Sequence, residues 1–133
     1  MKKNYFLLLL CLLISSLVGC VARKSDKEVN ISSEQVVREY FNYWNEKKSD
    51  KLEALLAPQY KEIAWEFDKL NYIKLISINE QKAAQENKVI FDVVFDAKFK
   101  NGSGLADGKH SWSFELKRDN ENSPWIIYNY GEG

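Results

Sequence analysis

From residue 89 to residue 117 this chain alternates apolar and polar side chains, and that alternation constrains its fold more than any other feature. Val89, Phe91, Val93, Phe95, Ala97 and Phe99 are interleaved with Ile90, Asp92, Val94, Asp96 and Lys98. His110, Trp112, Phe114 and Leu116 are interleaved with Ser111, Ser113, Glu115 and Lys117. A period of two puts one set on a buried sheet face and the other on the opposite face. The connector from Lys100 to Gly108 is rich in turn formers, so the two segments are expected to form a long antiparallel hairpin. Tyr72 to Ile78 reads as a preceding strand and Trp125 to Tyr130 as a closing one, reached through the turn Asp119–Pro124. The expected sheet is a four-stranded antiparallel meander.

The residues before it have the period of helices. Ser32 is an N-cap candidate, with Gln35 placed to complete a capping box, and Ile31 and Val36 can form a hydrophobic staple. Val36, Val37, Tyr40, Phe41 and Trp44 then share one helical face, while Arg38, Glu39, Asn42, Asn45 and Glu46 are mostly on the other. A second, shorter helix is expected with Ser49 or Asp50 as cap and Leu52, Leu55 and Leu56 facing in, and Pro58 stops it. A third helical piece is expected over Lys61–Leu70, with Ile63, Ala64, Phe67 and Leu70 on one side. Helices followed by strands predict an α+β domain, its N-terminal helices packed on a curved antiparallel sheet.

Residues 1–19 have the order of an export signal. Lys2 and Lys3 are followed by the apolar run Tyr5–Ile14, then by Ser15, Ser16 and Gly19. A membrane-spanning helix needs roughly 20 apolar residues, and this run is about half of that before the serines break it. Leu17-Val18-Gly19-Cys20 looks like a lipobox, in which the cysteine thiol receives a diacylglycerol group and cleavage falls just before it. The other cysteine, Cys11, would leave with the signal, so no disulfide is expected in the mature chain. Residues 20–30 read as a flexible tether and residues 31–133 as a single domain. The expected location is the extracytoplasmic face of a bacterial cell membrane, held by the acyl anchor on Cys20.

The formal net charge of the chain is zero. Without Lys2 and Lys3 it has 17 basic and 19 acidic residues, interspersed. A nucleic-acid binder carries clustered Lys and Arg, so nucleic acid is not an expected partner.

The segments Val36–Lys47, Asn71–Ile78 and Ser123–Gly131 give the chain a family likeness. It resembles small Gram-positive lipoproteins of an uncharacterised family, domain of unknown function 4829, over nearly all of residues 31–131. The resemblance implies a nuclear-transport-factor-2-like (cystatin-like) cone, in which a curved sheet wraps the helices around a pocket or a filled core. It implies no catalytic residue and no cofactor.

Candidate sites follow from strand parity. Tyr40, Trp44, His110 and Trp112 are the side chains expected to line a pocket if the cone holds one, with Trp65, Trp125 and Tyr60 as further aromatics. The alternative is that these rings only fill the core of a small domain without disulfides. His110 is the sole histidine and therefore the candidate general base. Asp92 and Asp96 fall on the face opposite Phe91, Val93 and Phe95, which makes them poor candidates for one. With one histidine and scattered carboxylates, neither a metal site nor a cofactor is expected. Ile90, Val94, Ile126, Tyr128 and Tyr130 share outward parity and are the candidate interface, for a homodimer or another envelope protein. A binding domain for an envelope protein or small ligand is the expected function. A small-molecule enzyme using His110 or an aspartate, and an inhibitor or immunity-type protein, are the alternatives.

Overall fold

The structure, a computed structural model, describes residues 30–60 and 65–133, with backbone alone over 82–84. The signal segment 1–19, Cys20, all of the tether but Asn30, and residues 61–64 of the expected third helix lie outside the described residues. Two α-helices, α1 (Ser33–Asn45) and α2 (Ser49–Leu55), and a 3₁₀ turn at Pro58–Tyr60 precede four strands. These are β1 (Leu70–Gln85), β2 (Lys88–Phe99), β3 (Gly108–Lys117) and β4 (Ile126–Glu132), antiparallel in the order β1-β2-β3-β4. Among the described residues no helix is long and apolar enough to cross a membrane.

The start of α1 is close to the expected one. The Ser32 hydroxyl accepts from the Gln35 amide at 3.2 Å. The reciprocal half of the capping box is missing, because the Gln35 side chain donates to Glu39 Oε1 at 2.8 Å instead. The helix ends in a Schellman motif: Lys47 is left-handed (φ 59°), its amide bonds to the Trp44 carbonyl, and the Lys48 amide bonds to that of Tyr43. That tight exit starts α2 at Ser49, so Lys48 occupies its cap position and neither Ser49 nor Asp50 caps it. The third helix fails where it can be seen. Phe67–Lys69 form a turn, with the amides of Lys69 and Leu70 both bonded to the Glu66 carbonyl, and Leu70 opens β1.

The strands bury the expected face. Phe91, Val93, Phe95 and Ala97 of β2 and Phe114 and Leu116 of β3 pack under Val36, Val37, Tyr40, Phe41 and Trp44 of α1. Among the described residues, the members of this core run from Ile31 to Tyr130. Bulges in β1 and β4 bend the sheet around the helix. In β1, Leu75 pairs with Phe95 but Ser77 with Val94, so Ile76 is an extra residue. In β4, Ile127 pairs with Leu116 but Asn129 with Glu115, so Tyr128 is extra. This second bulge overturns one expectation: it reverses the parity of β4 and turns Tyr130 inward, where its ring stacks on Phe114 at 5.5 Å. The β4 edge is covered in turn. Leu56 makes a parallel bridge to Ile127, and the Ala57 amide bonds to the Ile127 carbonyl at 2.9 Å.

Candidate functional site

A cleft of about 250 Å³ opens at the end of the cone where α1 finishes. Its walls come from four places in the sequence. Tyr40 and Trp44 are one helical turn apart on α1, Trp112 stands on β3, Tyr130 is delivered by the bulge in β4, and Trp65 comes from the connector. Trp44 and Trp112 are nearly parallel at 6.1 Å, and the Trp44 indole N–H donates to the Trp65 carbonyl at 3.3 Å. Tyr40 packs edge-on against Phe114 at 5.3 Å and lies 5.6 Å from the Tyr130 ring.

The hydroxyl and indole groups of these aromatic walls are neutral. Burial, reinforced by Tyr130, holds the Tyr40 phenol well above its ordinary range, and burial likewise raises that of Tyr130. Both therefore remain hydroxyls. The indole nitrogens of Trp65 and Trp112 are buried and have no hydrogen-bond partner among the described residues. The Tyr40 hydroxyl lies near the Trp65 indole, but that N–H falls short of a full hydrogen bond to it.

The loop between β2 and β3 forms one side of the cleft. Gly104 and Leu105 line the cleft beside Glu66. The Glu66 carboxylate accepts from Ser103 Oγ at 2.7 Å, from the Gly104 amide at 2.9 Å and from Lys69 Nζ at 3.1 Å, and Lys69 Nζ also donates to the Gly102 carbonyl at 2.8 Å. Bonds from Ser103, then Gly104, then Lys69 lower the Glu66 pKa from 4.5 to about 2. Glu66 adopts a left-handed backbone (φ 48°) to reach them. A carboxyl group whose pKa falls on folding stabilises the folded arrangement above its unfolded value, and that contribution is lost as pH drops through the folded value. The loop is therefore expected to stay latched at neutral pH and to come free between pH 4.5 and about 2. The Ser103 and Gly104 amide resonances report this directly, and in Glu66→Gln that acid transition should vanish.

Three of the four expected pocket residues, Tyr40, Trp44 and Trp112, come together here. His110 does not line the cleft. Its ring stacks on Phe95 at 5.3 Å, and Nε2 lies 2.7 Å from the Ala106 carbonyl oxygen, so Nε2 carries the proton and donates it. That partner is a backbone carbonyl, not the orienting carboxylate a general base would need. Asp92 accepts from the Gln81 side chain and Asp96 from the Tyr72 hydroxyl, both on the outer face. Among the described residues no charged side chain is buried, and no three His, Cys, Asp or Glu gather to hold a metal. Trp125 lies under Arg118 at 4.5 Å, and Tyr60 donates to Asn129, both away from the cleft. Sequence reading missed Tyr130, which depends on the bulge, and Glu66, which lies in no regular element.

On the outer face, register spaces the candidate interface residues apart. Ile90 is paired with Gln81 and Glu115, and Val94 with Ser77 and Ser111. Tyr128 is 45% exposed with Lys117 Nζ 3.6 Å above its ring. Ile126 lines a separate apolar hollow of about 220 Å³ with Ile31, Leu55 and Trp125, near the start of α1.

No functionally curated protein matches the chain. Among solved structures it is similar to a protein of Xanthomonas campestris pv. campestris described as a "putative polyketide cyclase", at 15% identity and a TM-score of 0.44, over 72% of this chain and 88% of that one. The family model described as Domain of unknown function (DUF4829) matches residues 34–89 and 79–131. Together these stretches span most of the sequence, and the chain belongs to that family.

Proposed function

We propose that this protein is a lipid-anchored binding domain, tethered through Cys20 to the extracytoplasmic face of the membrane, which holds a small molecule in the aromatic cleft of its cone. The observation that carries the binding half is the convergence of Tyr40, Trp44, Trp65, Trp112 and Tyr130 on one cleft, with the Glu66 carboxylate at its edge. Small-molecule sites have this makeup, a mainly apolar lining with a few placed polar groups. The anchor half rests on the order of charges, apolar run and small residues that ends at Cys20.

A binding role is preferred to catalysis on the chemistry of the available groups. Proton transfer needs a base held against the substrate. His110 gives its Nε2 proton to a loop carbonyl outside the cleft, and the aspartates of β2 bond side chains on the opposite face. Native mass spectrometry of the protein extracted from its own membrane tests the reading. A discrete small-molecule adduct, lost when Trp44 is replaced by Ala in a chain that still folds, is expected. An adduct-free protein with a second polypeptide bound in fixed ratio would replace the small ligand with a protein partner.

A further inference from the structure

Asparagine is among the chemically labile side chains, because its amide carbon lies within reach of the next residue's backbone nitrogen. Attack is easiest where that next residue has no side chain to hinder it. Asn101 is the only asparagine of this chain that glycine follows. Both Asn101 and Gly102 are exposed in the turn between β2 and β3. Gly102 is left-handed (φ 85°), and a Cβ built on it would touch nothing within 4 Å.

Hydrogen bonding separates this pair from the other asparagine with a small successor. Among the described residues neither the Asn101 side chain nor the Gly102 amide has a hydrogen-bond partner. At Asn122-Ser123 the corresponding nitrogen is engaged, because the Ser123 amide donates to the Asn120 carbonyl at 3.0 Å. The other such acidic pair in this loop, Asp107-Gly108, is held as well. The Asp107 carboxylate accepts from the Phe99 amide at 2.8 Å, and Gly108 is paired with Ala97 in the sheet.

The chemistry needs only water. The Gly102 nitrogen gives up its proton and attacks Asn101 Cγ. The new C–N bond closes a cyclic imide, and the Asn101 Nδ2 leaves as ammonia. Water then opens the imide. Breaking the bond to Cγ gives aspartate. Breaking the bond to the original main-chain carbonyl carbon gives isoaspartate, whose chain runs through Cβ and Cγ. Loss of ammonia makes the change one-way.

Its neighbours make it consequential. Lys69 Nζ donates to the Gly102 carbonyl at 2.8 Å and to Glu66 at 3.1 Å, and the next two residues, Ser103 and Gly104, both donate to Glu66. Isoaspartate lengthens the main chain just before these donors. Either product also sets a new carboxylate in competition with Glu66 for Lys69.

We propose that Asn101 is a self-modification site, converted to isoaspartate and aspartate by the Gly102 nitrogen, and that conversion loosens the Ser103–Gly104 attachment to Glu66. The loop beside the cleft thereby carries a record of the molecule's age. The test uses the full protein purified in detergent and aged at mildly alkaline pH, with peptide mapping that separates asparagine, aspartate and isoaspartate. A hydrogen bond that must first break is worth about fivefold in rate, so Asn101 should convert at least about fivefold faster than Asn122. In the converted fraction the Gly104 amide should exchange its hydrogen about fivefold faster, the worth of its bond to Glu66. Asn101→Gln, in which attack would have to close a larger ring, should age without either change. Conversion of Asn101 no faster than that of Asn122 overturns the site. Conversion with unchanged Gly104 exchange overturns the loosening, and so does faster exchange in aged Asn101→Gln.

Discussion

Phe95→Ala is expected to cost ~3–5 kcal/mol, the usual range for emptying a buried aromatic site. Phe95 has no exposed surface and is gripped from several sides: Phe41 lies 5.0 Å away, Trp112 4.8 Å, His110 5.3 Å and Trp44 6.3 Å between ring centroids. The helix, two strands and the floor of the cleft all press on this one ring, so its removal leaves a cavity that no single neighbour can fill by rotating. Small domains are stable by only ~5–15 kcal/mol. With about 4–8 °C lost per kcal/mol in a domain of this size, the midpoint of thermal unfolding should fall by roughly 12–40 °C. Ile76→Ala is the matched control. Ile76 is 47% exposed at the β1 bulge, and its truncation should change stability by no more than about 0.5 kcal/mol. A Phe95 variant that melts within a few degrees of the parent would show that the core is not organised around this ring.

Cys20→Ala carries the other large effect. On the proposed anchoring, the thiol is the only point at which acyl chains join the protein. Each buried methylene contributes about 0.8 kcal/mol, and one chain alone gives only marginal attachment, so a diacylglycerol supplies the two-chain anchor that holds. Without the thiol, incorporation of radiolabelled fatty acid should drop to background, and processing at Gly19–Cys20 should stop. Label incorporation at the parental level in this variant would remove the anchor from the proposed function.

What the sequence disclosed and what it hid divide along a physical line. Helix α1 and strands β2 and β3 were legible because burial imposes strict periods on them: Val36, Val37, Tyr40, Phe41 and Trp44 on one helical face, and Phe91, Val93 and Phe95 on one sheet face. Tyr40 and Trp44 on that helical face and Trp112 on that sheet face all line the cleft. Parity fails where an extra residue enters a strand, because nothing in the local composition of Ile126–Tyr130 marks Tyr128 as the one left unpaired. That single insertion moved Tyr130 from the expected outer face to the inner wall. The segment after Trp65 was misjudged for a different reason. Phe67 and Leu70 have helical spacing, but Glu66 spends its carboxylate on Ser103 and Gly104, and such long-range bonds leave no trace in local pattern. The cap residues misled more mildly. Gln35 had the right position for a capping box and a better acceptor in Glu39.

The bridge between Leu56 and Ile127 has a consequence for how this protein can meet its own copies. A sheet with a bare margin invites another chain to zip onto it, one backbone bond after another. Here the start of the β4 margin is already taken: the Ala57 amide and the Gln59 side chain occupy the carbonyls of Ile127 and Tyr128. At the β1 margin the Asn45 side chain has claimed the Ile73 amide. Among the described residues, these are the positions at which a foreign strand would have to displace a bond that the fold already makes.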